Sequence, residues 1–318
     1  MGIDSYKAAA IQFEPRLFDK EKNCLELIEL IKEAAESGAK LITTPEMAIS
    51  GYCFFNEEEA ARMAEPVSGK TVSLFKNLSS SLNIYLVLGM PEQDEESGLL
   101  YNSAIFIGPK GVLGVHRKTH SYISEPKWAA PGNNGHKVYD TPLGKIAILI
   151  CMDIHFLETA RVVAVEGADI ICHISNWLAE KTPAPYWISR AYENNCYLLE
   201  SNRWGLERGV QFSGGSCIIS PNGDIISQID TENGIVYANI DLNESRKMKK
   251  NVYSTLECRR PNLYRELQKN TFLWNPLDYF NLYNNNPISK GGSGKVSVVQ
   301  DNFSENKNDN IKKILILI

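Results

Sequence analysis

Four side chains able to do acid–base or nucleophilic chemistry stand beside apolar runs of this sequence. In Leu41-Ile42-Thr43-Thr44-Pro45-Glu46 a proline ends a strand-like run and sets a carboxylate at its carboxyl end, where α/β sheets build their sites. A glutamate there can serve as a general base. Lys118 follows a second run, Val115-His116-Arg117. The strongly apolar stretch Lys145–Ile150 ends in Cys151, with a helical pattern a few residues on. A thiol at such a turn can be exposed and partly ionised by the helix N-terminus, although free cysteine is also a common core residue. Glu125 precedes Pro126, Trp128 and Pro131-Gly132, the composition of a well-formed loop. His116 and His120 share the spacing of some zinc ligands, but the glutamate of HExxH is missing and no neighbouring Cys/His cluster completes a set, so no metal is expected.

These residues need a frame of strands and helices. Strands are predicted over Lys7–Phe13, Lys40–Thr44, Ile84–Leu88, Lys145–Ile150, Asp169–His173 and Cys196–Ser201. Amphipathic helices are predicted over Lys20–Ser37 (Gly38 as its stop), Gly69–Leu82, Glu158–Glu166 and Pro185–Asn195. Asn102–Ile107 and Val112–Arg117 read as a hairpin around Gly108-Pro109-Lys110-Gly111. Strands over Gly215–Ser220 and Asp224–Ile229 turn at Asn222-Gly223, and Gly234–Ile240 closes the set. Early βα alternation followed by hairpins predicts a layered α/β sandwich. From about Asn284 the composition turns to Gly, Ser and Asn, the signature of a flexible tail. The expected organisation is one catalytic unit over 1–283 and a polar tail over 284–318 that ends in the apolar IKKILILI.

Composition narrows the function classes. A net charge of −5 leaves no broad basic field for nucleic acid, and the run Arg246, Lys247, Lys249, Lys250 reads as a solvated face or turn. No apolar run reaches the roughly 18 residues of a membrane span, and the opening MGIDSYKAAAIQF lacks the pattern of a signal peptide. Seven cysteines without CxxC spacing, several within apolar runs (Cys172, Cys196, Cys217), fit buried thiols in a reducing cytoplasm.

Taken in order, Glu46, Lys118, Glu125 and Cys151 resemble the Glu–Lys–Cys arrangement of the nitrilase-like carbon–nitrogen hydrolase superfamily. Thr44-Pro45-Glu46 with Ser50-Gly51-Tyr52 is similar to its first signature, and His116-Arg117-Lys118-Thr119-His120 to its second. Cys151-Met152-Asp153-Ile154-His155-Phe156-Leu157-Glu158 resembles C-x-D-x-R-F-x-E. Ser175-Asn176-Trp177, Arg190–Asn194, Asn202–Gly205, Phe212–Ser216 and Arg259–Tyr264 add further landmarks, so that the resemblance covers Tyr6 to Leu267. It implies an α-β-β-α sandwich, no cofactor, and dimers or higher homo-oligomers formed by pairing helices.

The roles it implies suit the residue types. Cys151 would attack a carbonyl carbon and Glu46 would carry protons. Lys118 and the backbone N–H after Cys151, that of Met152, would stabilise the oxyanion, while Glu125 would hold the amide nitrogen and the lysine. Tyr52, Trp128, Met152, Asn176 and Trp177, with Trp204, are candidates for the substrate pocket, and the rings suit a flat or apolar acyl group. Two positions depart from related patterns. His155 stands where many members carry the arginine that N-carbamoyl amino acid hydrolases use for a carboxylate. Met152-Asp153 replaces the Trp-Glu usual in true nitrilases. The expected substrate is a small linear amide; ureido and nitrile substrates are the alternatives on the same scaffold. A catalytically silent binding protein would have lost members of the tetrad, and all four are present.

Overall fold

The computed structural model describes residues 4–178 and 181–269. Its first strand, β1 (Ser5–Gln12), alternates in a way that sets the layering. Ala8 and Ala10 enter the central core, while Ala9 and Ile11 face the other way, onto the helix α1 (Lys20–Glu36). Alanine on the inner face lets a second sheet approach closely; a branched residue on the outer face fills the space under a helix. Asp19 caps α1 by accepting from the Lys22 N–H (3.2 Å).

There follow β2 (Ala39–Thr43), the short α2 (Glu57–Ala61), α3 (Lys70–Leu82), β3 (Tyr85–Gln93), β4 (Leu100–Gly108) and β5 (Gly111–Arg117). The second half comprises β6 (Val138–Thr141), β7 (Gly144–Ile150), α4 (Leu157–Val165), β8 (Ile170–Ser175), α5 (Pro185–Asn194) and β9 (Tyr197–Asn202). The hairpin β10 (Trp204–Glu207) and β11 (Val210–Ser213) precedes β12 (Cys217–Ile219), β13 (Ile225–Gln228), β14 (Gly234–Asp241) and α6 (Leu242–Lys249).

Two six-stranded sheets result, ordered β14-β1-β2-β3-β4-β5 and β13-β12-β9-β8-β7-β6. They share one plan. Each has three parallel strands at its centre, β1-β2-β3 or β7-β8-β9, an antiparallel strand on one flank and an antiparallel pair on the other. Helices α1 and α3 cover one sheet through Leu27, Ile31, Val72 and Phe75. Helices α4 and α5 cover the other through Ala160, Val163, Trp187 and Ala191. The layers run α-β-β-α, as expected. Between the sheets the Thr43 and Ser201 hydroxyls meet at 2.6 Å, fixing the carboxyl end of β2 against that of β9.

Some elements differ from the sequence reading. The basic run around Arg246 lies at the end of helix α6, where Arg246, Lys247 and Lys250 are exposed. Arg246 pairs with Asp169 (3.1 Å), and Lys249 reaches the Ala168 carbonyl. β12 is shorter than predicted because Gly214 and Gly215 turn the chain with positive φ. β6, α2 and the β10–β11 hairpin carry too few periodic residues to be read in advance. The predicted tail, 284–318, lies outside the described residues.

Candidate active site

Each of the four reactive side chains is delivered by a strand end or an ordered loop, and close backbone approach fixes two of them. Glu46 follows β2. A Cβ on Gly89 of β3 would overlap the Pro45 carbonyl and stand 2.9 Å from the Glu46 Cα, so only glycine admits this approach. Lys118 follows β5. Its carbonyl accepts the Gly132 N–H (2.7 Å), and a side chain at Gly132 would overlap the Arg117 carbonyl. Cys151 begins a 3₁₀ turn directly after β7 and has a positive φ of 43°, unusual for a non-glycine residue.

These routes bring the charged groups together. Lys118 Nζ donates to Glu46 Oε1 at 2.8 Å and to Glu125 Oε1. All three are almost fully buried. Asn102 of β4 joins them, its Nδ2 at 2.6 Å from Glu46 Oε1 and 3.4 Å from Glu125 Oε1. Glu46 Oε2 accepts the backbone N–H of Asn176 (2.7 Å). Glu125 also accepts from the Tyr52 hydroxyl (2.7 Å) and the Tyr122 N–H (3.0 Å). An ammonium between two carboxylates is thus held in place from every side, the condition under which a buried charge is tolerable.

Electrostatics assign the resting protons. Burial opposes the Lys118 charge, but Glu125 and Glu46 raise its pKa well above the ordinary lysine value, so it stays cationic. Burial, and next the negative charge of Glu46, push the Cys151 thiol well up, against Lys118. Of the two readings of this thiol, exposed or buried, the structure has the buried one: Cys151 is 8% exposed, and its pKa is raised. The thiol thus lies in the field of two carboxylates, Glu46 and Glu125, and one ammonium, Lys118. Burial likewise raises Glu125, against Lys118.

Of the proposed pocket residues, Tyr52 reaches the tetrad through Glu125. Trp128 packs edge-on against Tyr52 and Phe54. Met152 is half-buried in the turn after Cys151. The Asn176 side-chain amide is buried without a hydrogen-bond partner among the described residues. Trp177 stacks on His155 at 4.8 Å. Trp204 stands apart, its indole N–H bound to Asn233 (2.8 Å).

Sequence reasoning gave no role to Asn102 or to the work of Asp153. The Asp153 carboxylate accepts from Ile150 N–H (3.1 Å), His116 Nε2 (2.8 Å), Thr119 N–H (3.1 Å) and Oγ1 (2.8 Å), and His120 N–H (2.9 Å). It therefore fastens the lysine loop to the cysteine turn. His116 and His120, spaced like metal ligands, both face this carboxylate. Among the described residues no three His, Cys, Asp or Glu side chains form a metal-binding group.

Comparison with known proteins places this geometry. The family model described as carbon-nitrogen hydrolase matches residues 7–250. A nitrilase of Pyrococcus abyssi is 37% identical over 238 residues, 74% of this chain and 90% of the relative. An omega-amidase NIT2 of Danio rerio is 32% identical over 252 residues, 74% of this chain and 88% of the relative. The crystal structure of Saccharomyces cerevisiae Nit3, a member of branch 10 of the nitrilase superfamily, superposes with a TM-score of 0.73 at 25% identity, covering 79% of this chain and 96% of that one. With its α-β-β-α layers and with both sequence and structure aligned over most of its length, the chain belongs to the carbon–nitrogen hydrolase family.

Proposed function

We propose that the protein is a cysteine amidase that hydrolyses a small linear carboxamide to a carboxylate and ammonia or an amine. One observation carries this reading: the buried Lys118 ammonium is bound at once by Glu46 and Glu125, which raise its pKa, and its charge works to lower that of Cys151. The site therefore has a base, a fixed positive charge and a thiol in mutual electrostatic contact.

Glu46 takes the Cys151 proton as the sulfur attacks the carbonyl carbon. Negative charge passes to the carbonyl oxygen, where Lys118 and the Met152 N–H receive it. Collapse breaks the C–N bond, and Glu46 returns the proton to the leaving nitrogen. Glu46 then deprotonates a water that attacks the thioester, releasing the carboxylate and regenerating the thiol. Glu125, anchored by Tyr52 and the Tyr122 N–H, holds Lys118 and receives the amide N–H. Tyr52, Trp128, Asn176 and Trp177 are the proposed walls for the acyl group. No cofactor enters this scheme.

Further support for a cytoplasmic setting comes from the seven free cysteines. No helix among the described residues is long and apolar enough to cross a membrane. We also propose that copies associate as homodimers or larger assemblies. Leu157, Val162 and Val165 on α4 and Tyr186 and Tyr192 on α5 leave apolar surface exposed on the outer face of one helix layer.

The test is ammonia release from linear carboxamides, N-carbamoyl amino acids and nitriles, with Cys151→Ala as the blank. Carboxamides should be turned over fastest and the variant should be silent. Preferential turnover of nitriles or ureido acids would replace the amide reading, and undiminished activity in Cys151→Ala would end the thiol mechanism.

A further inference from the structure

Behind the nucleophile lies a buried acid–base pair that the scheme above does not use. His173 on β8 and Glu200 on β9 are register partners in the parallel sheet, and both are 0% exposed. His173 Nδ1 meets Glu200 Oε2, and His173 Nε2 lies 3.1 Å from the backbone carbonyl of Cys151. The second Glu200 oxygen accepts from the Ser175 hydroxyl. A carbonyl oxygen can only accept, so Nε2 carries a hydrogen and donates to it. This holds whether the proton shared at Nδ1 resides on the imidazole or on the carboxyl.

We propose that His173 and Glu200 act as positioning residues for the oxyanion site, through the peptide bond between Cys151 and Met152; the proposal rests on the amidase reading. The Cys151 carbonyl and the Met152 N–H belong to one planar amide. A donor on that carbonyl draws density from the nitrogen and strengthens the N–H as a donor, by about 10–30% per bond in condensed phase. It also holds the plane of a peptide that starts from a residue at φ 43°. Burying an imidazole and a carboxylate in an apolar sheet brings little stability by itself. Among the described residues, the one backbone atom bound by His173 Nε2 is the carbonyl of Cys151. Burial opposes the charged imidazole, yet Glu200 beside it raises the His173 pKa overall. The pair thus keeps a proton in place while the thiol and Glu46 exchange theirs.

The experiment compares wild type with His173→Gln, Glu200→Gln and the double variant His173→Leu/Glu200→Met, which removes the pair without leaving a buried charge alone. Amide hydrolysis gives kcat and KM. Reaction of Cys151 with methyl methanethiosulfonate, followed on the Cys151 peptide by mass spectrometry, reports the thiol without building any oxyanion. In the double variant kcat should fall about 10- to 100-fold, less than the 10²–10³ for loss of a whole oxyanion donor. KM and the labelling rate should change no more than about twofold. His173→Gln, which keeps a donor, should recover part of kcat, and Glu200→Gln should lie between it and the double variant. Unchanged kcat in the double variant overturns the proposal. So does a parallel fall in kcat and labelling, which would mean that the thiol itself had moved. If the double variant does not fold, the two single variants decide on the same readouts. Wild-type protein without amidase activity would instead overturn the amidase reading.

Discussion

Asp153, two residues past the nucleophile, holds Thr119, the neighbour of Lys118, through both its backbone N–H (3.1 Å) and its hydroxyl (2.8 Å). Charge-assisted hydrogen bonds of this kind are about twice as strong as neutral ones. Two segments of the candidate site, from different sheets, are thereby joined at one carboxylate.

Asp153→Asn should therefore loosen the site and lower stability together. Asparagine keeps the size but presents one acceptor oxygen where Asp153 presents two. Burial works to raise the Asp153 pKa, but its hydrogen bonds to His116 and His120 hold it well below the ordinary 3.8. Because the folded-state value is depressed, the carboxylate's stabilisation is fully present above pH 3.8 and fades as pH falls through the folded-state value. Denaturant melts of wild type and variant should differ by about 2–4 kcal/mol at neutral pH and converge in acid. A gap that persists unchanged at low pH would show that the charge is not the source.

Glu46→Gln separates proton transfer from thiol ionisation. The variant cannot accept the thiol proton or return it to the leaving amine, so amide turnover should fall 10²- to 10⁴-fold. The Glu46 charge is also what, after burial, most raises the Cys151 pKa. Without it, Lys118 acts on the thiol with one less opposing carboxylate, and labelling by a small electrophile should persist. Equal loss of hydrolysis and labelling would show that the substitution displaced the sulfur.

The frame was legible in strong local patterns, and the reactive positions in the motifs around them that resemble the family. Thr44-Pro45-Glu46 ends an apolar strand in a proline, and Ile150-Cys151 ends another before a helical repeat. The pieces that tie the site together were less visible because they are joined across the sheets. Asn102 lies near the start of the fully buried β4, opposite Pro91 in register, and reaches both glutamates. His173 and Glu200 left a signal that could have been used: each is the one His, Asp, Glu, Lys or Arg in a strand buried at every position. Their pairing depended on β8 and β9 being neighbours, which no local pattern states.

Lys118→Met tests the buried cation. It leaves Glu46 and Glu125 facing each other, since both oxygens that bound Nζ now lack it. Removing one partner of a buried pair costs about 3–5 kcal/mol. One of the two carboxylates must then take up a proton, so its folded-state pKa rises above the unfolded value. A raised pKa gives stability below the unfolded value that is lost as pH rises. The melting temperature of the variant should therefore recover toward wild type on acidification to about pH 5, with no return of activity. A pH-independent deficit would mean that the two glutamates do not share one site.

His155→Arg addresses which acyl group enters. His155 lies four residues beyond Cys151, with its ring 4.8 Å from both Trp177 and Tyr186. Burial, followed by the positive charges of His173, Lys118 and Arg190, lowers its pKa to about 4. At neutral pH it is an uncharged ring among aromatic rings, a wall suited to an uncharged acyl chain. Nearby Arg190 is already committed: its guanidinium binds the carbonyls of Ile154 (3.1 Å) and His155 (3.1 Å) and pairs with Glu193 (3.0 Å). An arginine at 155 would place a permanent cation at this wall, able to bind a carboxylate through two parallel hydrogen bonds. Amides bearing a distal carboxylate should then gain at least about tenfold in kcat/KM relative to their neutral counterparts, roughly 1.4 kcal/mol of discrimination. The ratio is measured by competing the two substrates in one reaction. If it stays at the wild-type value while the variant remains folded and active, the acyl group does not pass this residue, and the selectivity must be sought among Tyr52, Trp128 and Asn176.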